Sequence, residues 1–410
     1  MKRGILVYLA QGENDEEISY NLAELAELAR NIDIEPQGFI LQHRRPDPNY
    51  LLGAGKVEEL KERVEKENIE AVVFNLELSP RQILNWEEKL GKKEIWDRTQ
   101  VILEIFRRRA HSREGKIQVE LARLTYLYPR MVGLGEVLSR LGGGIGTRGP
   151  GETKLEVLRR SVRSRIYRLR RELEEIRLNR EVLRRRRIKN EIPVVALVGY
   201  TNAGKSTLLN ALSLSENKVL TEDRLFATLD PVSRRIGLPS GRQVLLTDTV
   251  GFIHHMPARL KEAFKATLEE LASADLLLHV IDLTSPYMER QVAAVEVILK
   301  ELDLAHRPLL KVYNKADKFT GVVPLDGVVI SALHGTNLPL LLERLEEELF
   351  PLTEAALRVP FTHLGELARA RDRVEVVEER YTPQGVEVLL RGRQQDIETL
   401  KARLKEEGKK

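Results

Sequence analysis

The run Gly199-Tyr200-Thr201-Asn202-Ala203-Gly204-Lys205-Ser206 sets two glycines, a lysine and a hydroxyl at the spacing G-x-x-x-x-G-K-S. Backbone N–H groups of such a loop cradle phosphate oxygens, the Lys205 ammonium reaches the β/γ-phosphates, and the Ser206 hydroxyl takes Mg²⁺. The loop follows the apolar stretch Val194-Val195-Ala196-Leu197-Val198 and opens into Thr207-Leu208-Leu209. A strand before and a helix after aim the helix N-terminus at the anion. A nucleoside triphosphate is the ligand this pattern predicts.

The base is addressed downstream. Asn314-Lys315-Ala316-Asp317 closes the apolar run Leu309-Leu310-Lys311-Val312-Tyr313, at a strand's C-terminal end, where open α/β sheets bind ligands. The Asp317 carboxylate can accept from both N1–H and the 2-amino group of guanine, whereas adenine would leave it unpaired. Alone, N-K-x-D reads equally well as a surface turn; behind a phosphate loop it specifies guanine. A further strand, Val328-Val329-Ile330, ends in Ser331-Ala332-Leu333, where a backbone N–H can meet the guanine oxygen.

Between these lie the groups that sense the γ-phosphate. In Asp248-Thr249-Val250-Gly251 the Asp248 carboxylate can hold Mg²⁺ through water and the Gly251 amide can meet the γ-phosphate. Phe226-Ala227-Thr228-Leu229-Asp230-Pro231 supplies Thr228 as the residue that closes on Mg²⁺; Thr221 is its competitor, and an ordinary loop threonine is the alternative. The expected set is therefore Lys205, Thr228 and Gly251 for catalysis and Ser206, Thr228 and Asp248 for the metal. Residues 199–207, 248–251, Asn314, Lys315, Asp317 and 331–333 contact GTP or GDP. Phe252 stands where many GTPases carry a water-orienting Gln, and an apolar ring cannot polarise water. Slow intrinsic hydrolysis is expected. Phe252 also reads as a core anchor, and His254 and His255 as loop residues rather than substitutes.

Residues 192–350 are similar to GTPase domains of the translation-factor-related class. Beyond them, Gly142-Gly143-Gly144-Ile145-Gly146-Thr147-Arg148-Gly149-Pro150-Gly151-Glu152-Thr153, the phrase 226–231 and Asp248-Thr249-Val250-Gly251-Phe252-Ile253 resemble the HflX family of ribosome-associated GTPases. So do Tyr50-Leu51-Leu52-Gly53-Ala54-Gly55-Lys56 and the run 113–121. The resemblance covers nearly the whole chain and implies a partner, the large ribosomal subunit, with the Gly-rich run directed at the peptidyl-transferase region of its RNA. It implies ribosome splitting or rescue under stress as the output, and keeps open a second nucleotide or RNA contact at Gly53–Lys56, which otherwise reads as a strand-to-helix turn.

Four segments must position these groups. The chain of 410 residues carries a net charge of +4, long enough for two or three cores. Between Lys154 and Lys189 stand fifteen Lys/Arg against five Glu, a local +10 that leaves about −6 elsewhere. Such a segment binds a polyphosphate backbone in a salt-dependent way. Leu155, Val162, Leu169, Ile176 and Leu183 recur every seven residues, with Leu158, Ile166 and Leu173 between them, one apolar stripe on a helix roughly 54 Å long. Ile117, Leu121, Leu124, Tyr128 and Met131 supply the partner stripe, so residues 113–190 read as an antiparallel hairpin with the Gly-rich run at its tip. Six glycines lie within 142–151. A second phosphate loop lacks the following Lys-Ser/Thr, a flexible linker is an alternative, and the family resemblance favours a probe for a narrow RNA-lined cavity.

Residues 1–112 alternate apolar runs (5–10, 38–41, 71–74) with helical stretches, the βαβ pattern of a mostly parallel sheet. Residues 191–351 form the P-loop GTPase domain, and 352–410 a small α+β domain with a hairpin at 374–390 and a closing helix, of no assigned function. The expected fold class is α/β. No Cys suits a reducing cytosol and is compatible with other places, and no apolar run of about eighteen residues leaves no transmembrane segment expected; a cytoplasmic monomer is the expectation. A signalling GTPase whose hairpin docks a protein or a peripheral anionic membrane surface is the rival reading; an ATP-driven RNA remodeller is a third.

Overall fold

The computed structural model describes residues 1–141, 150–188, 192–214, 226, 232–249, 251–252, 271–371 and 373–406. Two compact units result, residues 1–236 with 244–336, and 237–243 with 337–410.

The first unit opens with β1 (Lys2–Ala10), α1 (Asp15–Arg30), β2 (Ile34–His43), α2 (Ala54–Lys66), β3 (Ala71–Phe74), α3 (Pro80–Leu90), β4 (Glu94–Asp97) and α4 (Arg98–Arg109). The four strands pair in parallel in the order β2-β1-β3-β4. β1 is buried from Gly4 to Ala10, a continuous apolar run that suits a strand covered on both faces. Capping boxes at Asn14/Glu17, Ser79/Gln82 and Asp97/Gln100 start α1, α3 and α4, each satisfying two otherwise orphaned backbone donors. One face packs Leu25, Leu28 and Phe106; the other packs Val57, Leu60 and Trp86. Gly53 caps α2 and gives its amide to Gln42 Oε1 at 2.9 Å.

α5 (Arg113–Leu141) and α6 (Pro150–Ile188) follow. Glu120 takes both arms of Arg165 at 2.7 and 2.8 Å, and Arg159 donates to the Met131 carbonyl at 2.8 Å; partners that recede along one helix as they advance along the other run antiparallel. Leu169, fully buried, packs with Ile117, Leu121, Leu124, Ile166, Leu173 and Ile176. The two apolar stripes meet over Ile166–Ile176 as their periodicity requires, while the side chains of Leu155 and Leu183 lie outside the described residues. Leu158 departs from the expectation: it is 47% exposed and stays outside the packed seam. Past the middle of α5, Arg130 donates to Asp97 (3.1 Å) and to the Leu78 carbonyl (3.0 Å), and the Tyr126 hydroxyl donates to Asp97 as well. The buried Asp97 thus caps α4 and fastens α5 to the first sheet. The tip, 142–149, and the side chains of Arg184–Arg187 lie outside the described residues.

The remaining strands of this unit are β5 (Val194–Val198), β6 (Val232–Gly237), β7 (Gln243–Asp248), β8 (Leu276–Asp282), β9 (Leu309–Asn314) and β10 (Val328–Val329), with α7 (Lys205–Leu212) and α8 (Met288–Glu301). They form one sheet, β10-β9-β8-β5-β7-β6, parallel from β10 to β7.

In the second unit, α9 (Leu338–Leu349) precedes β11 (Leu352–Val359), α10 (Leu364–Ala370), β12 (Glu375–Thr382), β13 (Gly385–Arg393) and α11 (Gln394–Glu406). The strands are antiparallel in the order β11-β13-β12 and share a core with Leu367, Ile397 and Leu400. α9, read from sequence as the last helix of residues 191–351, groups here with the C-terminal elements. Among the described residues no helix is long and apolar enough to cross a membrane.

Because Leu169 is completely enclosed, Leu169→Ala is expected to cost about 3 kcal/mol through reduced burial and the cavity left behind. Urea unfolding of the full chain checks this. A loss under about 0.5 kcal/mol, the range of ordinary surface changes, would mean that the seam carries no stability.

Candidate functional site

β5 delivers the chain to Gly199 at φ +150°, where a Cβ would stand 2.2 Å from the Val280 carbonyl oxygen. Gly204, at φ +92°, would put a Cβ 2.2 Å from Asn314 Nδ2. Only glycine fits either place. The loop between them is zipped to the segment after β7: the Phe252 amide donates to Gly199 O (3.1 Å) and the Thr201 amide to Phe252 O (2.8 Å). Gly251 lies directly against the loop, since a Cβ there would meet Thr201 Cα at 2.9 Å and Lys205 Nζ at 3.1 Å.

Lys205 opens α7, buried, with Nζ donating to the carbonyls of Gly199 (3.1 Å) and Tyr200 (2.7 Å). Burial pushes its pKa down to about 8, against the attraction of Asp248. One residue on, the Ser206 hydroxyl donates to Asp248 Oδ2 at 2.6 Å. A hydroxyl and a carboxylate thus converge at the C-terminal edge of the sheet, an all-oxygen donor pair of the kind Mg²⁺ accepts. Thr249 turns its hydroxyl inward, to the Leu197 carbonyl at 2.6 Å.

The base-side loops are joined to this one by Asn314. Its Nδ2 donates to Ala203 O and its Oδ1 accepts from the Ala332 amide, both at 2.9 Å. Lys315 follows in the left-handed region at φ +65° and reaches Asp282 Oδ2 at 2.6 Å. Asp317 Oδ1 accepts from the buried Ser331 hydroxyl at 2.6 Å, and that bond holds the Asp317 carboxyl below its usual range. An ionised, oriented carboxylate can accept two donors from a guanine edge. Leu333 lies 68% exposed beside it.

Thr228, Val250, His254 and His255, like Thr221, lie outside the described residues. Phe226 carries a role that its motif does not announce: its ring is buried against Phe106, centroids 4.6 Å apart, in the core of the first sheet. Phe252 is fully buried among Ala196, Val198, Leu271 and Val295, a core anchor. Sequence reasoning also misses Asp282, which fixes Lys315, and Glu24, which receives the Tyr200 hydroxyl. No local signal marks either, because each acts on a residue far along the chain.

A phosphate loop at the C-terminal edge of a parallel sheet, wired to an N-K-x-D loop, defines a P-loop GTPase. Three family models match in succession: a GTP-binding GTPase N-terminal region over 19–107, a GTP-binding GTPase middle region over 109–187, and a 50S ribosome-binding GTPase over 194–315. The GTPase HflX of Caldanaerobacter subterraneus subsp. tengcongensis is 50% identical over 392 residues, 94% of this chain and 90% of that one. That of Escherichia coli is 42% identical over 365 residues, 86% and 84% of the two chains. A GTP-binding protein from Sulfolobus solfataricus, solved in complex with GDP, is 27% identical, covering 85% of this chain and 99% of its own, with a TM-score of 0.45. The chain belongs to the HflX family of GTPases, enzymes that bind and hydrolyse GTP.

The chemistry of the base-side loop can be tested by substitution. Asp317→Asn exchanges an acceptor for a donor opposite the 2-position of the base, so the variant should lose affinity for GDP and gain it for XDP by at least about tenfold. Retained preference for GDP in a titration would remove Asp317 from base reading. A second test concerns His279 in β8, buried, with Nδ1 lacking a hydrogen-bond partner among the described residues. Burial pushes it down to about 4 from an ordinary 6.5, helped by Lys311 and Lys205. The unfolded chain therefore binds the extra proton first, and stability falls as pH drops from 6.5 towards 4. This contribution is on the order of 3 kcal/mol. His279→Leu should flatten the melting temperature across that window; an unchanged profile would contradict the assignment.

Proposed function

We propose that the chain is a Mg²⁺-dependent GTP switch that docks on the large ribosomal subunit through its basic hairpin and resets itself by hydrolysis. The observation that carries this reading is the division of labour on α6: Ile166, Leu169, Leu173 and Ile176 pack against α5, and Arg163, Arg168, Arg170, Arg171 and Arg177 stand on its outer faces. A rod of outward-facing guanidinium groups matches an RNA backbone. The description of the matched family model, a 50S ribosome-binding GTPase, supports the same partner. The Gly-rich tip then enters the peptidyl-transferase region while α6 grips phosphates, and the output is splitting or rescue of ribosomes under stress by a cytoplasmic monomer.

In this proposal backbone amides of 199–207 and Lys205 hold the phosphates, and Asn314, Lys315, Asp317 and residues 331–333 hold the base. Ser206, Asp248 and Thr228 provide the oxygens for the metal, the Gly251 amide senses the γ-phosphate, and Thr249 and Val250 complete the nucleotide contact of that segment. Mg²⁺ neutralises charge on the β- and γ-phosphate oxygens when bound. Because the Phe252 ring is buried in the core, its side chain is withheld from the attacking water, and turnover by the free protein is slow. Large subunits accelerate it by ordering the loops around Thr228 and Asp248.

Neutralising Arg184–Arg187 with Gln tests the partner. Affinity for purified large subunits should fall, and the slope of log affinity against log salt should flatten by about one for each phosphate that no longer meets a cation. GTP binding by the isolated protein should stay as it is. A slope equal to the parent's would reduce this run to a solvated helix face.

A further inference from the structure

We infer that Tyr200 and Glu24 are a positioning pair through which the N-terminal α/β domain sets the conformation of the phosphate loop. Tyr200 is the loop's second residue, yet its side chain is only 5% exposed and leaves the loop for α1, where the hydroxyl donates to Glu24 Oε2. Glu24 is itself buried, and its other oxygen receives Arg98 from the start of α4. A carboxylate shared between a guanidinium and a phenol is charged and satisfied on both sides, which makes the phenol's bond a charge-assisted one. Tyr20, one turn earlier on α1, lays its ring on Tyr287 with centroids 4.5 Å apart. Arg290 pairs with Glu16 at 3.0 Å along the same border.

Among the described residues, besides the bonds Lys205 makes within the loop, at least four bonds tie the loop to other elements. Two run to the backbone of Phe252 and one runs from Asn314 to Ala203; the fourth is Tyr200 to Glu24. The glycine conformations at 199 and 204 make the loop intrinsically soft, so each tether matters for preorganisation. The two bonds to Phe252 belong to the segment that senses the γ-phosphate, and they change when that segment moves. The bond to Glu24 is rooted in α1 of the N-terminal α/β domain, outside that segment. It therefore holds the loop ready for nucleotide independently of what the γ-phosphate does, and its removal should affect GDP as much as GTP.

This rests on the reading of residues 199–206 as the phosphate loop, so Lys205→Ala is measured alongside. On the full chain, release of a fluorescent GDP analogue is followed for Tyr200→Phe, Glu24→Ala, Glu24→Gln and the Tyr200→Phe/Glu24→Ala double variant, each with a thermal melt. Tyr200→Phe and Glu24→Ala should each speed release about tenfold, the worth of one hydrogen bond to a charged group. The double variant should be no faster than either, as partners in one bond are not additive. Glu24→Gln, which keeps an acceptor for the phenol, should remain within about threefold of the parent. Release at the parent's rate with a lowered melting temperature would make the pair simple adhesion between domains and overturn the inference, as would additive effects. Unaltered nucleotide affinity in Lys205→Ala would instead overturn the phosphate-loop reading beneath it.

Discussion

The buried amide of Asn314 is the joint on which the nucleotide site is built. At 3% exposure it cannot exchange its partners for water, and it meets both needs within the fold, donating to Ala203 and accepting from Ala332. Removing it would strand two backbone groups at about 1–3 kcal/mol each. The same side chain dictates residues around it. Gly204 is obligatory because any Cβ would strike the amide, and Lys315 must turn into the left-handed region directly after it, which points its ammonium at Asp282. A phosphate-side loop and a base-side loop separated by more than a hundred residues are thereby held as one object.

Sheet topology explains why the object sits where it does. In the order β10-β9-β8-β5-β7-β6 the chain runs from β5 out to β6, returns through β7 beside β5, and then crosses to β8 on the other side of β5. A crevice opens outside the carboxyl end of the strand at such a switch point, and β5 ends there in Gly199. Lys205 and Ser206 enter the crevice from the first turn of α7, Asp248 from the end of β7, and Asn314 from the end of β9. Each of these four side chains comes from the edge of a rigid element, which fixes its position even where the loops between them are softer.

Much of this is legible in the chain because the signals are local. The spacing of glycines and lysine in residues 199–206 specifies a loop, and the heptads of Val162, Leu169 and Ile176 specify a seam; each needs only its own neighbourhood to be read. Other features depend on remote partners. Glu24 and Tyr200 are separated by 176 positions, and nothing in α1 distinguishes Glu24 from its solvated neighbours until the fold brings the phenol to it. β4, four residues long with an ion-paired Glu94 and a capping Asp97, has too short an alternation to register as a strand. β11 has only one side chain that is fully buried, Val359, so its hydrophobic pattern is faint and its identity comes from the pairing with β13. Thr249 shows the reverse case: the motif places it in the site, while its hydroxyl serves β5.

Under the proposed function, GTP occupancy of this site governs engagement of the large ribosomal subunit by the hairpin. Co-sedimentation of the full chain with purified large subunits, in parallel with GDP and with a non-hydrolysable GTP analogue at one fixed salt concentration, measures that link directly. Retention with the GTP analogue and release with GDP is the predicted result; equal recovery in the two nucleotide states would contradict it.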